Sequence, residues 1–96
     1  MSAKALIVLA DGFEDVEAVA AIDVLRRGGV EVVMASLSGE PKVRSAHGVA
    51  MLADASFADV SGETFDAIVL PGGGEGTQNL ISSQALLERL RRQKDD

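Results

Sequence analysis

Residues 66–80 read Asp-Ala-Ile-Val-Leu-Pro-Gly-Gly-Gly-Glu-Gly-Thr-Gln-Asn-Leu, a short apolar strand followed by a glycine-rich turn. Residues 5–17 read Ala-Leu-Ile-Val-Leu-Ala-Asp-Gly-Phe-Glu-Asp-Val-Glu, a second apolar strand whose loop carries carboxylates. Continuous apolar runs of this kind are typical of strands covered on both faces, as in a parallel sheet. Since open α/β sheets bind ligands at the carboxyl ends of their strands, the two loops predict one shared site.

The first 36 residues predict a βαβ unit. Residues 4–10 and 31–36 are its strands, and Asp11 with Glu14 resembles a capping box that starts a helix near residues 11–14. Gly28-Gly29 is a helix stop signal. The apolar positions that keep helical spacing are Val16, Val19, Ala20 and Val24.

The remaining residues predict a hairpin, a third strand and a helix. Residues 43–45 and 49–53 are the hairpin strands beside the main sheet, and residues 67–70 are the third buried strand. In the polar segment 54–63, Phe57 and Val60 are the expected core anchors. Ser82 or Ser83 caps a last helix, whose apolar stripe is Leu86, Leu87 and Leu90.

Composition limits the classes of protein to which this chain can belong. Ninety-six residues with 47% hydrophobic content and a mean hydropathy of +0.19 make one small ordered domain or part of a larger one. A net charge of −6 and a pI near 4.6 argue against nucleic acid as a partner. No run approaches the ~20 apolar residues that a membrane span needs. The absence of a secretory signal favours a cytoplasmic chain, and the absence of cysteine excludes disulfides and thiolate metal sites within it.

The glycine turn is the first candidate site. Gly72, Gly73 and Gly74 allow positive φ and let backbone N–H groups approach a ligand, where they can hold a carboxylate or a developing oxyanion. A tight strand-to-helix turn with no ligand is the alternative. A dinucleotide fingerprint fits poorly, because Thr77 stands where the third glycine belongs, and there is no Walker lysine.

Polar side chains elsewhere are the second set of candidates. Glu14 and Asp15 fit helix capping and solvation, whereas Glu17 is expected to be partly buried if it points at the carboxyl edge of the sheet. His47 is the only imidazole and fits a polar hairpin tip. No Gly-x-Ser-x-Gly elbow and no metal-ligand spacing is present, so no metal and no cofactor is expected.

These motifs resemble the N-terminal half of the DJ-1/ThiJ/PfpI superfamily along essentially the whole chain. Residues 5–17 are similar to its first strand and acidic helix start, and residues 23–29 to the end of its first helix. Residues 13–17 alone also suit PfpI-type proteases. Leu-Pro-Gly-Gly at 70–73 followed by Gln-Asn-Leu at 78–80 is similar to the DJ-1/ThiJ subgroup instead.

The resemblance implies a flavodoxin-like α/β sandwich, of which residues 1–96 are the N-terminal part of a single domain. It implies a reactive cysteine after the next strand, with the protonated carboxyl of Glu17 hydrogen-bonded to it and Gly72 and Gly73 lining the same pocket. Ser45 and His47 lie on the hairpin that approaches the pocket across the family's dimer. The implied activities are glyoxalase or deglycase chemistry on small dicarbonyls, redox sensing and chaperone action.

Three readings of the chain remain open at this point. It is the N-terminal segment of a DJ-1-like homodimer whose cysteine lies on a separate chain, a non-catalytic binding or regulatory module, or a small flavodoxin-like receiver. After a strand and its helix a further strand is due, and exposed strand edges favour association. The isolated chain is therefore expected to aggregate or unfold as a monomer.

Overall fold

The computed structural model describes residues 3–95, which form a four-stranded parallel sheet and a two-stranded antiparallel hairpin. In chain order the elements are β1 (Lys4–Leu9), α1 (Asp15–Arg27), β2 (Glu31–Ser36), β3 (Lys42–Arg44), β4 (Ala50–Leu52), β5 (Ala55–Ser56), α2 (Phe57–Val60), β6 (Ala67–Val69), α3 (Gly74–Ile81) and α4 (Gln84–Asp95). The strand order of the main sheet is β5-β2-β1-β6, and β3 pairs with β4. The predicted βαβ unit and hairpin are confirmed.

Strand β1 lies between two partners and is covered on both faces, as its continuous apolar run predicts. Successive side chains of a strand point to opposite faces. Leu6 and Val8 therefore pack into a core with Phe57, Phe65, Leu80 and Leu86 from the α2, α3 and α4 side. Ile7 and Leu9 pack into the second core, which contains Phe13, Ala18, Ile22 and Val43. The sheet is the middle of three layers, with α1 and the hairpin on the second face.

The buried face of α1 differs from the predicted one. Ala18 and Ile22 are its buried residues, whereas the side of the helix that carries Val16, Val19, Ala20 and Val24 is exposed. Both sets of positions keep helical spacing, so periodicity alone could not choose between them. The sheet packs against the set that contains the larger Ile22, and the valines remain on the surface.

The start of α1 also differs from the predicted capping box. Glu14, not Asp11, is the N-cap residue, and its side chain accepts a hydrogen bond from the Glu17 N–H at 2.7 Å. Asp11 instead accepts from the Arg44 N–H at 3.0 Å, so its carboxylate binds the hairpin rather than the helix.

Three elements were missed in the sequence: β5, the short helix α2, and one of the two helices after the glycine turn. The short strand β5 adds a fourth member to the sheet, pairing with β2 through only Ala55 and Ser56. Two helices rather than one follow the glycine turn: α3 ends at Ile81 with Ser82 as its C-cap, and α4 begins at Gln84. The Ser83 hydroxyl accepts from the Leu86 N–H at 3.1 Å, which confirms Ser83 as the capping serine. Within the described residues no helix is long and apolar enough to cross a membrane.

Candidate active site at the carboxyl edge of the sheet

The glycine turn and the first turn of α1 are joined by two hydrogen bonds. The Gly72 N–H donates to Glu17 Oε1 at 2.6 Å, and the Gly72 carbonyl accepts from the Glu14 N–H at 2.9 Å. A Cβ built on Gly72 would lie 2.8 Å from Glu17 Oε1, so only glycine lets the carboxyl approach this closely. The predicted proximity of Glu17 to the glycine turn is confirmed.

The predicted burial of Glu17 is wrong for the described residues, in which its side chain is exposed. The reason is that Glu17 lies at the sheet edge, and no described element packs over its outer side. Within residues 3–95 its Oε1 binds Gly72, while Oε2 has no hydrogen-bond partner. The carboxyl is therefore held at the glycine turn by one of its two oxygens.

Gly73 is the second glycine of the turn. It is the residue before α3, with φ of 103°, a conformation that side chains other than glycine rarely adopt. Within residues 3–95 its N–H donates to no protein acceptor. Because the Gly72 N–H is already bound to Glu17, Gly73 is the better candidate for an oxyanion donor, at the positive end of the α3 dipole.

The start of α3 is fastened to the loop after β1 by contacts that the sequence did not indicate. The Gly76 N–H donates to the Gly12 carbonyl at 3.2 Å, and Asn79 Nδ2 donates to the Asp11 carbonyl at 2.8 Å. A Cβ on Gly76 would lie 2.9 Å from both the Gly12 oxygen and the Phe13 Cα. The sequence carries one signal for this contact, the glycine at position 76. Glycine within a helix lowers helix stability, so its presence there indicates close packing against a neighbouring segment.

The hairpin places Ser45 and His47 beside Asp15, the first residue of α1. The Ser45 hydroxyl donates to Asp15 Oδ2 at 2.5 Å, and His47 Nδ1 lies 3.0 Å from Asp15 Oδ1. Ser45 Oγ also accepts from the backbone N–H groups of His47 and Val49 at 3.3 and 2.9 Å. Asp15 therefore anchors the hairpin rather than being simply solvated, whereas Glu14 takes the capping role that was one interpretation of this acidic pair.

Electrostatics at Asp15 follow from these contacts. The Ser45 hydroxyl holds the pKa of the Asp15 carboxyl below its ordinary value; desolvation opposes this effect, and the bond with His47 adds to it. Ligand atoms of Glu14, Asp15 and His47 all lie within 4.8 Å of one another. These three are the described residues that could hold a metal ion, a grouping that spacing in the sequence did not reveal.

Comparison with known proteins decides the family. The DJ-1/PfpI family matches residues 3–96 of the chain. The chain belongs to the DJ-1/PfpI family. The crystal structure of Drosophila melanogaster DJ-1beta superposes with a TM-score of 0.97 at 41% identity, covering 99% of this chain and 51% of that one. The predicted flavodoxin-like α/β fold and the resemblance to an N-terminal half are thereby confirmed.

Relatives within the family differ in how much of their length the chain matches. It is 42% identical over 94 residues to Protein dj-1beta of Drosophila melanogaster, spanning 98% of this chain and 50% of that protein. It is 39% identical over 91 residues to Glutathione-independent glyoxalase DJR-1.2 of Caenorhabditis elegans, 94% of this chain and 48% of that protein. It is 42% identical over 93 residues to Protein DJ-1 homolog B of Arabidopsis thaliana, 97% of this chain and 21% of that protein. The chain thus spans half or less of these DJ-1/PfpI relatives.

Proposed function

We propose that this chain is the N-terminal segment of a DJ-1/ThiJ-like cysteine-dependent protein. It supplies Glu17 and the glycine turn, and the nucleophilic cysteine lies on a separate C-terminal segment. The observation that carries the proposal is the 2.6 Å hydrogen bond from the Gly72 N–H to Glu17 Oε1, which leaves Oε2 without a hydrogen-bond partner within residues 3–95. The chain contains no cysteine, so a cysteine nucleophile would have to come from another segment.

The chemistry proposed is of the glyoxalase or deglycase type on a small dicarbonyl, in line with the printed name of the Caenorhabditis elegans relative. A thiolate that adds to an aldehyde carbon forms a C–S bond and moves the carbonyl electron pair onto oxygen. The Gly73 N–H is placed to bind that oxyanion. The outward Oε2 of Glu17, when protonated, would donate a hydrogen bond to the thiolate and raise the fraction of thiol that is ionised.

The first test of this function is activity combined with composition. The protein that carries this chain is purified, its intact mass is measured, and consumption of a small α-oxoaldehyde is followed before and after thiol alkylation. We expect a cysteine-containing segment in the sample, and activity that alkylation abolishes. Residues 1–96 produced alone should be inactive. Activity of residues 1–96 alone, or activity that survives alkylation, would contradict the proposal.

The alternative function is a non-catalytic binding or regulatory module, favoured by the absence of cysteine from the chain. In that case the purified protein would contain no cysteine-bearing segment and would not consume the dicarbonyl. The same purified sample distinguishes redox sensing from catalysis. A sensor would oxidise at a thiol adjacent to Glu17 yet show no turnover.

We propose further that the completed domain forms a cytoplasmic homodimer through α1 and the hairpin. The exposed apolar side chains of these elements support this, with exposures of 71% for Val16, 65% for Val24 and 68% for Leu52. Val19 and Ile22 of α1 and Met51 of the hairpin also line a cavity of about 270 Å³. Exposed apolar surface of this kind marks interaction sites. A two-fold contact would bring both hairpins close to the two α1 helices.

Val19→Asp is expected to convert the dimer to monomer, because the substitution places a carboxylate at the centre of the apolar surface. Sedimentation velocity of the whole protein measures the outcome. Ala85→Asp is the matched control, since Ala85 is exposed on α4, on the opposite face of the sheet. A wild-type monomer at micromolar concentration, or a Val19→Asp dimer as stable as wild type, would contradict this interface.

A further inference from the structure

Glu14 contacts both partners of the hydrogen bond that joins Glu17 to the glycine turn. Its N–H donates to the Gly72 carbonyl at 2.9 Å, and its Oε2 accepts from the Glu17 N–H at 2.7 Å. With the bond from the Gly72 N–H to Glu17 Oε1 at 2.6 Å, these contacts close a ring of three hydrogen bonds. We propose that Glu14 is a positioning residue that holds the Glu17 carboxyl on the glycine turn, and its effect on thiol reactivity rests on the function proposed above.

The ring is a capping box into which the glycine turn has been inserted. Glu14 is the N-cap of α1, and Glu17 is the third residue of that helix. In an ordinary capping box, a glutamate at the third position binds the N-cap N–H directly. Here Gly72 lies between the two, because its carbonyl accepts from the N-cap N–H and its own N–H donates to Glu17 Oε1. The Glu17 carboxyl therefore binds the glycine turn instead of the end of its own helix.

Glu17 depends on these hydrogen bonds for its orientation. Its side chain is exposed, and within residues 3–95 Gly72 is the hydrogen-bond partner of its carboxyl. A group that acts on a reacting atom has to be held in the productive geometry by its neighbours. Glu14 binds the backbone N–H of Glu17 and also the peptide that holds the Glu17 carboxyl, so it fixes both ends of this side chain.

The shape of the glycine turn is a second, independent support. A Cβ built on Gly72 would lie 2.8 Å from Glu17 Oε1, and a Cβ built on Gly73 would lie 3.0 Å from the Glu14 nitrogen. A side chain at either glycine would push the turn away from the start of α1. The two glycines thus permit the close approach of both glutamates on which the ring depends.

The test compares Glu14→Ala with Glu14→Gln in the whole protein. Alanine removes the acceptor of the Glu17 N–H, whereas the amide oxygen of glutamine still accepts. In Glu14→Ala we expect the NMR signal of the Gly72 amide proton to move toward its position in Glu17→Leu, which lacks the carboxyl. The pKa of the reactive thiol, from the alkylation rate against pH, should rise by about 0.5 to 1 unit in Glu14→Ala, a roughly three- to tenfold change in its ionisation constant. Glu14→Gln should leave both measurements at their wild-type values.

Ser56→Ala is the matched control for simple loss of a helix cap. Ser56 is the N-cap of α2 and accepts from the Asp59 N–H at 3.2 Å, and strand β2 separates its strand from β1. Its substitution should lower stability without moving either measurement. Glu14→Gly takes the place of Glu14→Ala if urea denaturation shows that the alanine variant does not fold, because glycine is tolerated at an N-cap.

The role of Glu14 would be overturned if Glu17→Leu moved both measurements while Glu14→Ala left both at their wild-type values. It would also be overturned if Ser56→Ala reproduced the effects of Glu14→Ala. A Gly72 amide signal that Glu14→Ala moves, in a protein whose thiol does not respond to Glu17→Leu, would support the positioning of Glu17 and contradict the proposed function. Failure of the positioning role and failure of the proposed function are therefore distinguishable.

Discussion

Gly73→Ala is expected to lower the free energy of unfolding by about 2–4 kcal/mol, combining the cost of a left-handed backbone with that of overpacking. Gly73 has φ of 103°, and a Cβ built on it would lie 2.6 Å from the Gly12 carbonyl oxygen and 3.0 Å from the Glu14 nitrogen. Both neighbours are backbone atoms that cannot rotate away. Urea denaturation of the whole protein, followed by circular dichroism, measures the change.

Gly74→Ala is the matched control, one residue further along the chain. Gly74 is exposed, begins α3, does not have positive φ, and a Cβ on it would meet nothing within 4 Å. Alanine there should be neutral or stabilise the protein by up to ~1 kcal/mol through its helix propensity. Equal unfolding free energies for the two variants would show that the turn relaxes and that Gly73 is not constrained as described.

The second large effect concerns Glu17. If a cysteine-bearing segment completes the site as proposed, Glu17→Leu should raise the pKa of the reactive thiol, because leucine cannot donate a hydrogen bond to the thiolate. Glu17→Gln should preserve most of the reactivity, because an amide can donate. Loss of one hydrogen bond to a charged group costs roughly 1.5–3 kcal/mol. The rate of thiol alkylation, titrated against pH, measures the effect in wild type and both variants.

The two substitutions also differ in how they treat the glycine turn. Glutamine retains an oxygen that can accept from the Gly72 N–H, whereas leucine leaves that donor without its partner at 2.6 Å. The free energy of unfolding of both variants is therefore measured beside the alkylation rate. This distinguishes a variant that has lost its fold from one that has lost thiolate reactivity. An alkylation midpoint unchanged in a folded Glu17→Leu protein would refute the role assigned to Glu17.

The main elements of the fold could be predicted from residues alone because their signals are local. Continuous apolar runs marked β1, β2 and β6, and the glycine pair after α1 marked its end. The buried face of α1 could not be predicted, because its exposed valines and its two buried residues, Ala18 and Ile22, have the same helical periodicity. The choice depends on which set the sheet covers. Strand β5 was missed because two residues carry no periodicity.

The candidate site, like the fold, could be predicted only in part. Glu17 and Gly72 both follow strands of one parallel sheet, so their proximity follows from topology, and the family resemblance named them. The contact of Asp15 with Ser45 and His47 depends instead on how the hairpin docks. That docking is fixed by backbone contacts such as the Ala46 N–H to the Phe13 carbonyl at 2.8 Å, which no side-chain pattern encodes.

The central position of β1 sets an order of assembly. In the sequence, β1 and its partner β2 are separated only by α1 and its two loops. Its other partner, β6, lies beyond residues 37–66 as well, so that pairing closes a much longer loop. Local contacts form faster than contacts that close long loops. The β1–α1–β2 unit therefore condenses first and β6 joins it later. The hydrogen bond between Glu17 and Gly72 joins the two stages, so we expect the candidate site to form late, when β6 joins the sheet.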